Sequence, residues 1–221
     1  MQCSCGDYAA AANQQFTEQI AARDLESYQA KGPGPTTRLL RDALTQAGLV
    51  DGVVLDIGAG IGALTFELLE AGAKGAIAVD ASPSYIAAGS REASRRGRAG
   101  VIQFIAADFL SAASQIPPAS IVTLDRVICC YPASQPLLAE ALPHAERVFA
   151  FSYPRDLWYV RIWNRLVNAK RRLTGNPFRT YVHPAAGMAH TIVGAGFGLV
   201  SRHNTAAWSV DLYARSASEP K

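Results

Sequence analysis

Short apolar runs alternate with longer amphipathic segments along most of this chain. Five runs rich in Val, Ile, Leu, Ala and Phe are each followed by polar or turn residues; they are residues 53–56, 76–80, 102–106, 120–125 and 148–152. Runs that are mainly apolar, without a polar residue at every second position, predict strands buried on both faces, and the segments between them have the spacing of amphipathic helices. The pattern therefore predicts an α/β protein with a mainly parallel sheet.

The ends of the chain and one internal segment depart from this alternation. Residues 8–30 are polar and rich in alanine, and the sequence KGPGP breaks the chain directly after them. Residues 154–184 are much longer than an ordinary strand-to-strand connection. We therefore expect a helical lid over residues 1–35, one domain over residues 36–214 with a helical insertion near 154–184, and a tail over residues 215–221. A length of 221 residues with 49% hydrophobic content fits a single core.

A glycine-rich turn follows the first apolar run. The sequence LDIGAGIG places Asp56 before Gly58, Gly60 and Gly62, and the next apolar run ends in Asp80. Glycines let a backbone approach a ligand closely, and open α/β sheets bind ligands beyond the C-terminal ends of their strands. The spacing G-x-G-x-G differs from the dinucleotide pattern G-x-G-x-x-G, and no phosphate-binding lysine follows. A carboxylate beside the turn favours a ligand with an amine and hydroxyl groups, such as S-adenosylmethionine (SAM).

Four motifs in this order resemble those of class I SAM-dependent methyltransferases. They are LDIGAGIG, Asp80, AADF at residues 106–109 and VTLDRV at residues 122–127. The resemblance implies a Rossmann-like, doubly wound sheet of seven mostly parallel strands with an antiparallel C-terminal edge strand, in a hairpin of residues 198–202 and 206–214. It also implies that the glycines approach the methionine part of SAM, that Asp80 accepts from the ribose hydroxyls, and that Asp108 meets the adenine amine. The expected SAM-binding set is Asp56, Gly58, Ala59, Gly60, Gly62, Asp80, Ala81, Asp108, Phe109 and Asp125.

The loop after the fourth run is expected to line the reaction centre. It reads DRVICCYP, and we name Cys130 and Tyr131 as candidate catalytic residues. The Asn/Asp-Pro-Pro-aromatic pattern of many N-methyltransferases is absent. The second half, including FRTYVHP at residues 178–184, resembles magnesium-protoporphyrin O-methyltransferases, although that group has a histidine where this chain has Cys130. We therefore expect a small organic acceptor, with an oxygen nucleophile on an apolar anionic molecule.

Two other functions stay open at this stage. The cysteines occur as Cys3-x-Cys5 and as the adjacent pair Cys129 and Cys130, so a lid could bring thiolates over the site for methylation of a thiol or of a metalloid such as arsenite. The same pair could also be buried packing, since buried cysteine behaves as a small apolar residue. A SAM-binding protein without catalysis is the other alternative. The cysteine spacing does not fit a structural zinc site, and we predict no metal site.

The segment of residues 157–173 is both amphipathic and basic. Trp158, Ile162 and Leu166 share one helical face, and arginines such as Arg165 occupy another side. Such a helix suits a lid over a flat anionic substrate or contact with an acidic membrane surface; it could also pack on the core with its arginines in solvent. A net charge of +3, with basic residues clustered in one segment, argues against nucleic acid. Because no secretory signal and no apolar stretch of about 20 residues are found, a cytoplasmic protein is expected, and its oligomeric state is left open.

Overall fold

A computed structural model describes residues 5–215 of the chain. Cys3, the side chain of Cys5 and residues 216–221 of the predicted tail lie outside the described part. Within it, the helices are α1 Cys5–Gln15, α2 Glu18–Lys31, α3 Pro35–Gln46, α4 Ala63–Glu70, α5 Pro83–Arg95, α6 Phe109–Ala112, α7 Ser134–Ala141, α8 Trp158–Leu173 and α9 Ala185–Gly194. The strands are β1 Val53–Ile57, β2 Gly75–Asp80, β3 Ile102–Ala106, β4 Ala119–Leu124, β5 Ala145–Pro154, β6 Phe197–Asn204 and β7 Trp208–Arg215.

All seven strands form one sheet in the order β3-β2-β1-β4-β5-β7-β6. The first five strands run parallel, and β7 pairs antiparallel with both β5 and β6. The predicted Rossmann-like fold class is thus confirmed, with the C-terminal hairpin at one edge and β6 outermost. The chain order reverses between β1 and β4, and such a reversal opens a crevice at the C-terminal ends of the strands.

The strand β5 extends beyond the predicted residues 148–152. Its additional residues pair with neighbours on both sides: Ala145 is in register with Ala119 of β4, and Pro154 with Trp208 of β7. These partners are distant in sequence. The apolar pattern therefore locates the strand, whereas its ends are set by cross-strand pairing.

Successive residues of the central strands point to opposite faces of the sheet, and helices cover both faces. In β5, Val148 and Ala150 belong to a cluster that includes residues of α2, α3, α4 and α5. Phe149 and Phe151 belong to the opposite cluster, which includes residues of α6, α7 and α9. This packing fixes the strand ends, and with them the loops that follow β1, β2, β3 and β4.

The predicted helical insertion consists of α8 and an irregular segment, residues 174–184, that folds back along it. The side chains of Asn164 and Asn168 donate hydrogen bonds to the carbonyl of Thr180, at 2.8 and 2.7 Å. These bonds join the helix to the segment that follows it. Across residues 5–215, no helix combines the length and the apolar composition that crossing a bilayer requires. The boundaries of the lid and the insertion as units stay predictions.

Candidate functional site

The glycine turn lies between β1 and α4 and is held against the end of β2. The N–H groups of Gly58 and Ala59 both donate to the carbonyl of Val79, at 2.7 and 3.0 Å. Three glycines of the turn have positive φ: Gly58 67°, Gly60 58° and Gly62 82°. A Cβ atom on Gly58 would lie 2.3 Å from a methyl group of Val127, so only glycine fits without a shift of Val127. The turn therefore presents bare backbone at the crevice.

Asp80 ends β2 beside this turn and is held by two backbone donors. The N–H of Gly60 donates to Oδ2 at 2.9 Å, and the N–H of Ser82 donates to Oδ1 at 2.8 Å. Burial raises the pKa of Asp80, and these two hydrogen bonds oppose the rise. Because a carboxylate oxygen accepts more than one hydrogen bond, both oxygens keep capacity for the hydroxyls of a ligand. The position fits the ribose role expected of Asp80, and Ala81 follows it in the turn before α5.

Asp108 follows β3 and is buried, yet one of its oxygens has no partner. Tyr131 donates its hydroxyl to Oδ1 at 2.6 Å, whereas nothing in residues 5–215 donates to Oδ2. A buried acceptor without a donor is costly, and the donor of a ligand removes that cost. The amine of adenine is such a donor. The unpaired oxygen therefore fits the adenine-side role of Asp108.

Tyr131, named as a candidate catalytic residue, is thus a partner of Asp108. Tyr8 of α1 stacks on its ring, with centroids 4.2 Å apart. Burial raises the pKa of both tyrosine hydroxyls well above the ordinary value. Tyr131 therefore stays protonated near neutral pH, where it can donate a hydrogen bond but cannot act as a base.

Two residues of the expected SAM-binding set have clear structural roles. Phe109 is 2% exposed and packs edge-on against His144, with ring centroids 5.4 Å apart. Gly62 is the N-cap of α4 in the left-handed conformation, which glycine adopts without strain. Direct contact of either residue with SAM stays a prediction.

Asp56 is buried beneath the turn and joins three elements. Thr65 of α4 donates to its Oδ2 and Thr123 of β4 donates to its Oδ1, each at 2.8 Å. Burial raises the pKa of Asp56 to about 7; the two threonine hydroxyls lower it, and the charges of Asp125 and Asp80 raise it. Asp56 therefore links β1, α4 and β4 beneath the glycine turn. Its direct contact with SAM stays a prediction.

The raised pKa of Asp56 predicts a pH-dependent stability. Because its folded-state pKa of about 7 lies above the ordinary 3.8, the folded protein binds this proton more tightly than the unfolded chain does. The contribution of Asp56 is fully present below about pH 4 and is lost as the pH rises toward about 7, by up to about 4 kcal/mol. Since asparagine mimics the protonated acid, the unfolding free energy of wild type relative to Asp56→Asn should fall between about pH 5 and pH 7 in urea titrations and level off above that range.

The matched control is Asp51→Asn. Asp51 is exposed, and its hydrogen bond with Lys74 lowers its pKa, so its charge does not change above about pH 5. The stability difference for this variant should be constant over the same range. An equally constant difference for Asp56→Asn would contradict the raised pKa.

Asp125 follows β4, and hydroxyl groups of the protein bind both its oxygens. Thr37 of α3 donates to Oδ2 at 2.6 Å, and Ser152 of β5 donates to Oδ1 at 2.7 Å. The next residue, Arg126, has a φ of 61° and is the one non-glycine residue with positive φ in the described part. Such backbone is uncommon and concentrates at functional sites. Sequence reasoning missed Thr37, Ser152 and Arg126, and contact of Asp125 with SAM stays a prediction.

The adjacent cysteines lie in the loop that follows. The Sγ atoms of Cys129 and Cys130 both donate to the carbonyl of Arg126, at 3.4 and 3.5 Å. Interaction with Cys129 and burial raise the pKa of the Cys130 thiol well above its ordinary value. Cys130 is therefore a thiol, not a thiolate, at neutral pH, and a thiol is a weak nucleophile and metal ligand. The described residues contain no group of three His, Cys, Asp or Glu side chains arranged to hold a metal ion.

The insertion fixes this loop through backbone contacts. The N–H of Tyr181 donates to the carbonyl of Cys129 at 2.7 Å. Nε2 of His183 lies 3.1 Å from the carbonyl of Ile128 and 3.0 Å from that of Tyr131, and both are acceptors, so this nitrogen carries the hydrogen. Burial lowers the pKa of His183, which keeps the ring neutral. His183 therefore holds the loop in place.

The N-terminal helices and the insertion meet beside the crevice. Phe16 packs edge-on against Tyr85 and Phe178, with centroids 5.4 and 5.1 Å apart. Asn176 donates to the side-chain oxygen of Gln15 at 2.9 Å. The two segments thus form one cover over the strand ends. The role of residues 1–35 as a lid that opens stays a prediction.

Arg171 lies on the inner side of α8, next to the loop. Its guanidinium stands 5.1 Å over the ring of Phe178 and donates to Oγ1 of Thr180 at 3.2 Å. Burial lowers the pKa of Arg171, the nearby Cys130 opposes the shift, and Arg179 adds to it. Arg171 forms no ion pair within residues 5–215. It is a half-buried cation without a counter-charge in the described residues, and no pattern in the sequence distinguishes it from the neighbouring basic residues.

Most of the expected site lies together at this edge. Tyr8 stacks on Tyr131, whose hydroxyl donates to Asp108, so α1, the loop after β4 and the end of β3 meet at one point. Gly60 joins the group through its bond to Asp80. Asp56 and Asp125 lie at the ends of the central strands beside it.

Comparison with known proteins agrees with this geometry. A protein-family model described as a methyltransferase domain matches residues 54–150. No curated protein matches the chain in sequence. Magnesium protoporphyrin IX methyltransferase from Synechocystis PCC 6803, solved with bound SAM, is 18% identical with a TM-score of 0.72, and the match covers 98% of this chain and 100% of that one.

Other similar structures have different names. A putative sarcosine dimethylglycine methyltransferase from Galdieria sulphuraria is 13% identical with a TM-score of 0.65, over 82% of this chain and 85% of that one. A putative RNA methyltransferase from Pyrococcus horikoshii is 16% identical with a TM-score of 0.59, over 86% of each chain. At these identities the likeness shows the fold and does not select an acceptor. The family match over residues 54–150, the motif order and the site geometry together support a class I SAM-dependent methyltransferase.

Proposed function

We propose that this enzyme transfers the methyl group of SAM to an oxygen nucleophile, a carboxylate, of a small, apolar, anionic molecule. The observation that carries the proposal is the half-buried guanidinium of Arg171, which has no acidic partner in the described residues and lies near Cys130 of the loop after β4. Its neutral neighbours are the side-chain oxygens of Asn168 and Thr180 and the ring of Phe178, against which Phe16 packs. A cation in an apolar cover suits an acceptor that is apolar in its body and negatively charged at one group.

The residues that would hold SAM are those of the glycine turn, with Asp80 on its ribose side and Asp108 on its adenine side. When bound, SAM supplies a methyl group on a sulfonium, an electrophile that an ionised oxygen can attack without prior deprotonation. The chain then has to bind and orient the two reactants, which by itself contributes much of the rate of a displacement.

The protonation states of the neighbouring groups favour an acceptor that arrives ionised. Tyr131 stays protonated, and Nε2 of His183 already donates to backbone carbonyls. Asp56 is buried beneath the turn with both oxygens bonded. None of these groups is a ready general base, and carboxylates need none because they are charged near neutral pH.

The same geometry disfavours the thiol and metalloid alternative. That function needs thiolates, and the pKa of Cys130 is raised. The name of the Synechocystis protein makes porphyrin carboxylates the first acceptors to test.

A panel assay tests the proposal. Release of the demethylated cofactor is measured with the full chain, SAM and porphyrin carboxylates, other apolar carboxylates, phenols, thiols and arsenite. Turnover on carboxylates, absent for their amides, is expected. Turnover on thiols or arsenite alone would overturn the oxygen assignment. SAM binding without turnover on any of them would favour the non-catalytic alternative.

Removing the charge of Arg171 should weaken binding of the acceptor. For Arg171→Gln we expect the KM of a carboxylate acceptor to rise about 10- to 100-fold, since a charge-assisted hydrogen bond contributes about 1.5–3 kcal/mol. The affinity for SAM should not change. Steady-state kinetics gives the first value, and calorimetric titration gives the second.

The matched control is Arg91→Gln, which removes the same charge from an exposed position on α5. It should leave both values unchanged. Arg171→Lys keeps the charge and should recover part of the loss. An unchanged KM in Arg171→Gln, with turnover retained, would contradict the anchoring role and leave the methyltransferase activity itself intact.

A further inference from the structure

The helix α8 exposes a broad apolar surface. Six of the eleven large apolar side chains that are exposed in the described residues belong to this one helix. They are Trp158 at 74% exposure, Tyr159 at 40%, Ile162 at 47%, Trp163 at 69%, Leu166 at 59% and Leu173 at 88%. At 100° per residue these six positions fall within one stripe on the outer side of the helix, which is about 24 Å long. We call them the outer stripe.

The inner side of α8 is mostly polar. Only Val160 is buried on this helix. Asn164 and Asn168 donate to the carbonyl of Thr180, and the N–H of Thr180 donates back to Oδ1 of Asn168 at 3.0 Å. A helix that packs on a core shows the opposite arrangement, with its apolar side inward. The side chains of the outer stripe therefore do not pack on the core, and the interpretation of α8 as a helix with its apolar face on the core is wrong.

Cations lie along both borders of the outer stripe. Arg165 and Arg172 are seven residues apart and follow one border, and Lys170 lies near the other. All three are exposed, and none forms an ion pair within residues 5–215. Arg161 differs, because it pairs with Asp156. The outer surface of α8 is thus apolar in the middle and positively charged at its borders.

We propose that α8 docks this protein on the surface of an anionic phospholipid membrane, parallel to its plane. Leu166, Ile162 and Leu173 would enter the boundary between headgroups and acyl chains. Trp158, Trp163 and Tyr159 are the residue types that prefer this boundary. Arg165, Lys170 and Arg172 would meet the phosphates.

The positive charge at the borders of the outer stripe favours an anionic membrane over a second copy of the chain as the surface that α8 contacts. A symmetric dimer through the outer stripe would bring the same three cations of both copies together, and the described residues of the stripe and its borders offer no acid to pair with them. An anionic lipid surface neutralises these cations. Because the outer stripe and Arg171 lie on different sides of α8, docking leaves the proposed acceptor anchor facing the body of the protein.

Vesicle binding tests this proposal with the full chain. Co-sedimentation is measured with vesicles of phosphatidylcholine alone and with vesicles that contain about 30% phosphatidylglycerol, at low and high salt. Binding to the anionic vesicles alone is expected, weakened by salt, together with a blue shift of tryptophan fluorescence. Leu166→Glu should lower the partition coefficient at least about tenfold. Arg165→Gln combined with Arg172→Gln should lower it about thirtyfold, since each cation near the surface contributes about a fivefold factor.

Matched controls separate the outer stripe from general effects. Val193→Glu changes a side chain of equal exposure, 58%, on α9. Arg91→Gln combined with Arg98→Gln removes the same charge from α5 and the turn after it. Both controls should bind vesicles as wild type does, and all variants should keep their melting temperature. Absence of binding to anionic vesicles would overturn the proposal, as would an equal loss in the controls. A dimer that Leu166→Glu abolishes, without vesicle binding, would assign the stripe to a second copy.

Discussion

Replacing Gly58 by alanine should abolish SAM binding and lower the unfolding free energy by about 2–5 kcal/mol. Two costs combine at this position. The φ of 67° disfavours any side chain by about 1–2 kcal/mol, and the new Cβ would lie 2.3 Å from a methyl group of Val127. Relief of that contact needs a shift of the turn or of the loop after β4, which adds about 1–3 kcal/mol. Urea unfolding measures the stability, and calorimetric titration measures SAM affinity.

The chain offers a close control for the first cost. Gly97 has a φ of 66° and no atom within 4 Å of its Cβ position, so Gly97→Ala carries only the backbone strain. It should lose about 1–2 kcal/mol of stability and keep SAM affinity. Adding Val127→Ala to Gly58→Ala should restore part of the stability, which a double-mutant cycle quantifies. Equal effects of the two glycine substitutions would refute the close contact.

Replacing Asp80 by alanine should weaken SAM binding by about 2–5 kcal/mol, because it removes a charged acceptor from the ribose side of the crevice. The same change leaves the N–H groups of Gly60 and Ser82 without their acceptor, so the glycine turn also loses a support. Asp80→Asn retains one acceptor oxygen and should lose less affinity. Calorimetric titration of SAM into each variant measures both effects.

Asp51→Asn provides the control for Asp80. Asp51 lies before β1, at the opposite end of the strands, and pairs with Lys74 on the surface. Its substitution should leave SAM affinity unchanged. Wild-type affinity in Asp80→Ala would remove Asp80 from the ribose site.

The sequence predicts the sheet well because its central strands are mainly apolar. The strand β3 has the predicted bounds, β1 and β2 differ by one residue at one end, and β4 is shifted by one residue at both ends. The ligand-binding edge follows from the positions of two acids, since Asp80 ends one apolar run and Asp108 comes two residues after the next one. The bounds of β5 could not be predicted, because its ends depend on pairing with β7.

The hydrogen bonds between side chains of the site could not be predicted from the sequence. The bond from Tyr131 to Asp108 joins residues 23 apart, and the bond from Thr37 to Asp125 joins residues 88 apart. No local sequence pattern indicates that either pair of residues is in contact. Spacing showed that α8 is amphipathic, but its orientation depends on the bonds of Asn164 and Asn168 to Thr180, which turn the polar side inward.

The central claim is that the edge formed by the glycine turn, Asp80 and Asp108 binds SAM. Calorimetric titration of the full chain with SAM, with its demethylated product and with NAD tests it most directly. The structure predicts one site that binds SAM and the demethylated product and does not bind NAD, because the turn has the spacing G-x-G-x-G and not the dinucleotide spacing G-x-G-x-x-G. Tight binding of NAD without binding of SAM would contradict the claim.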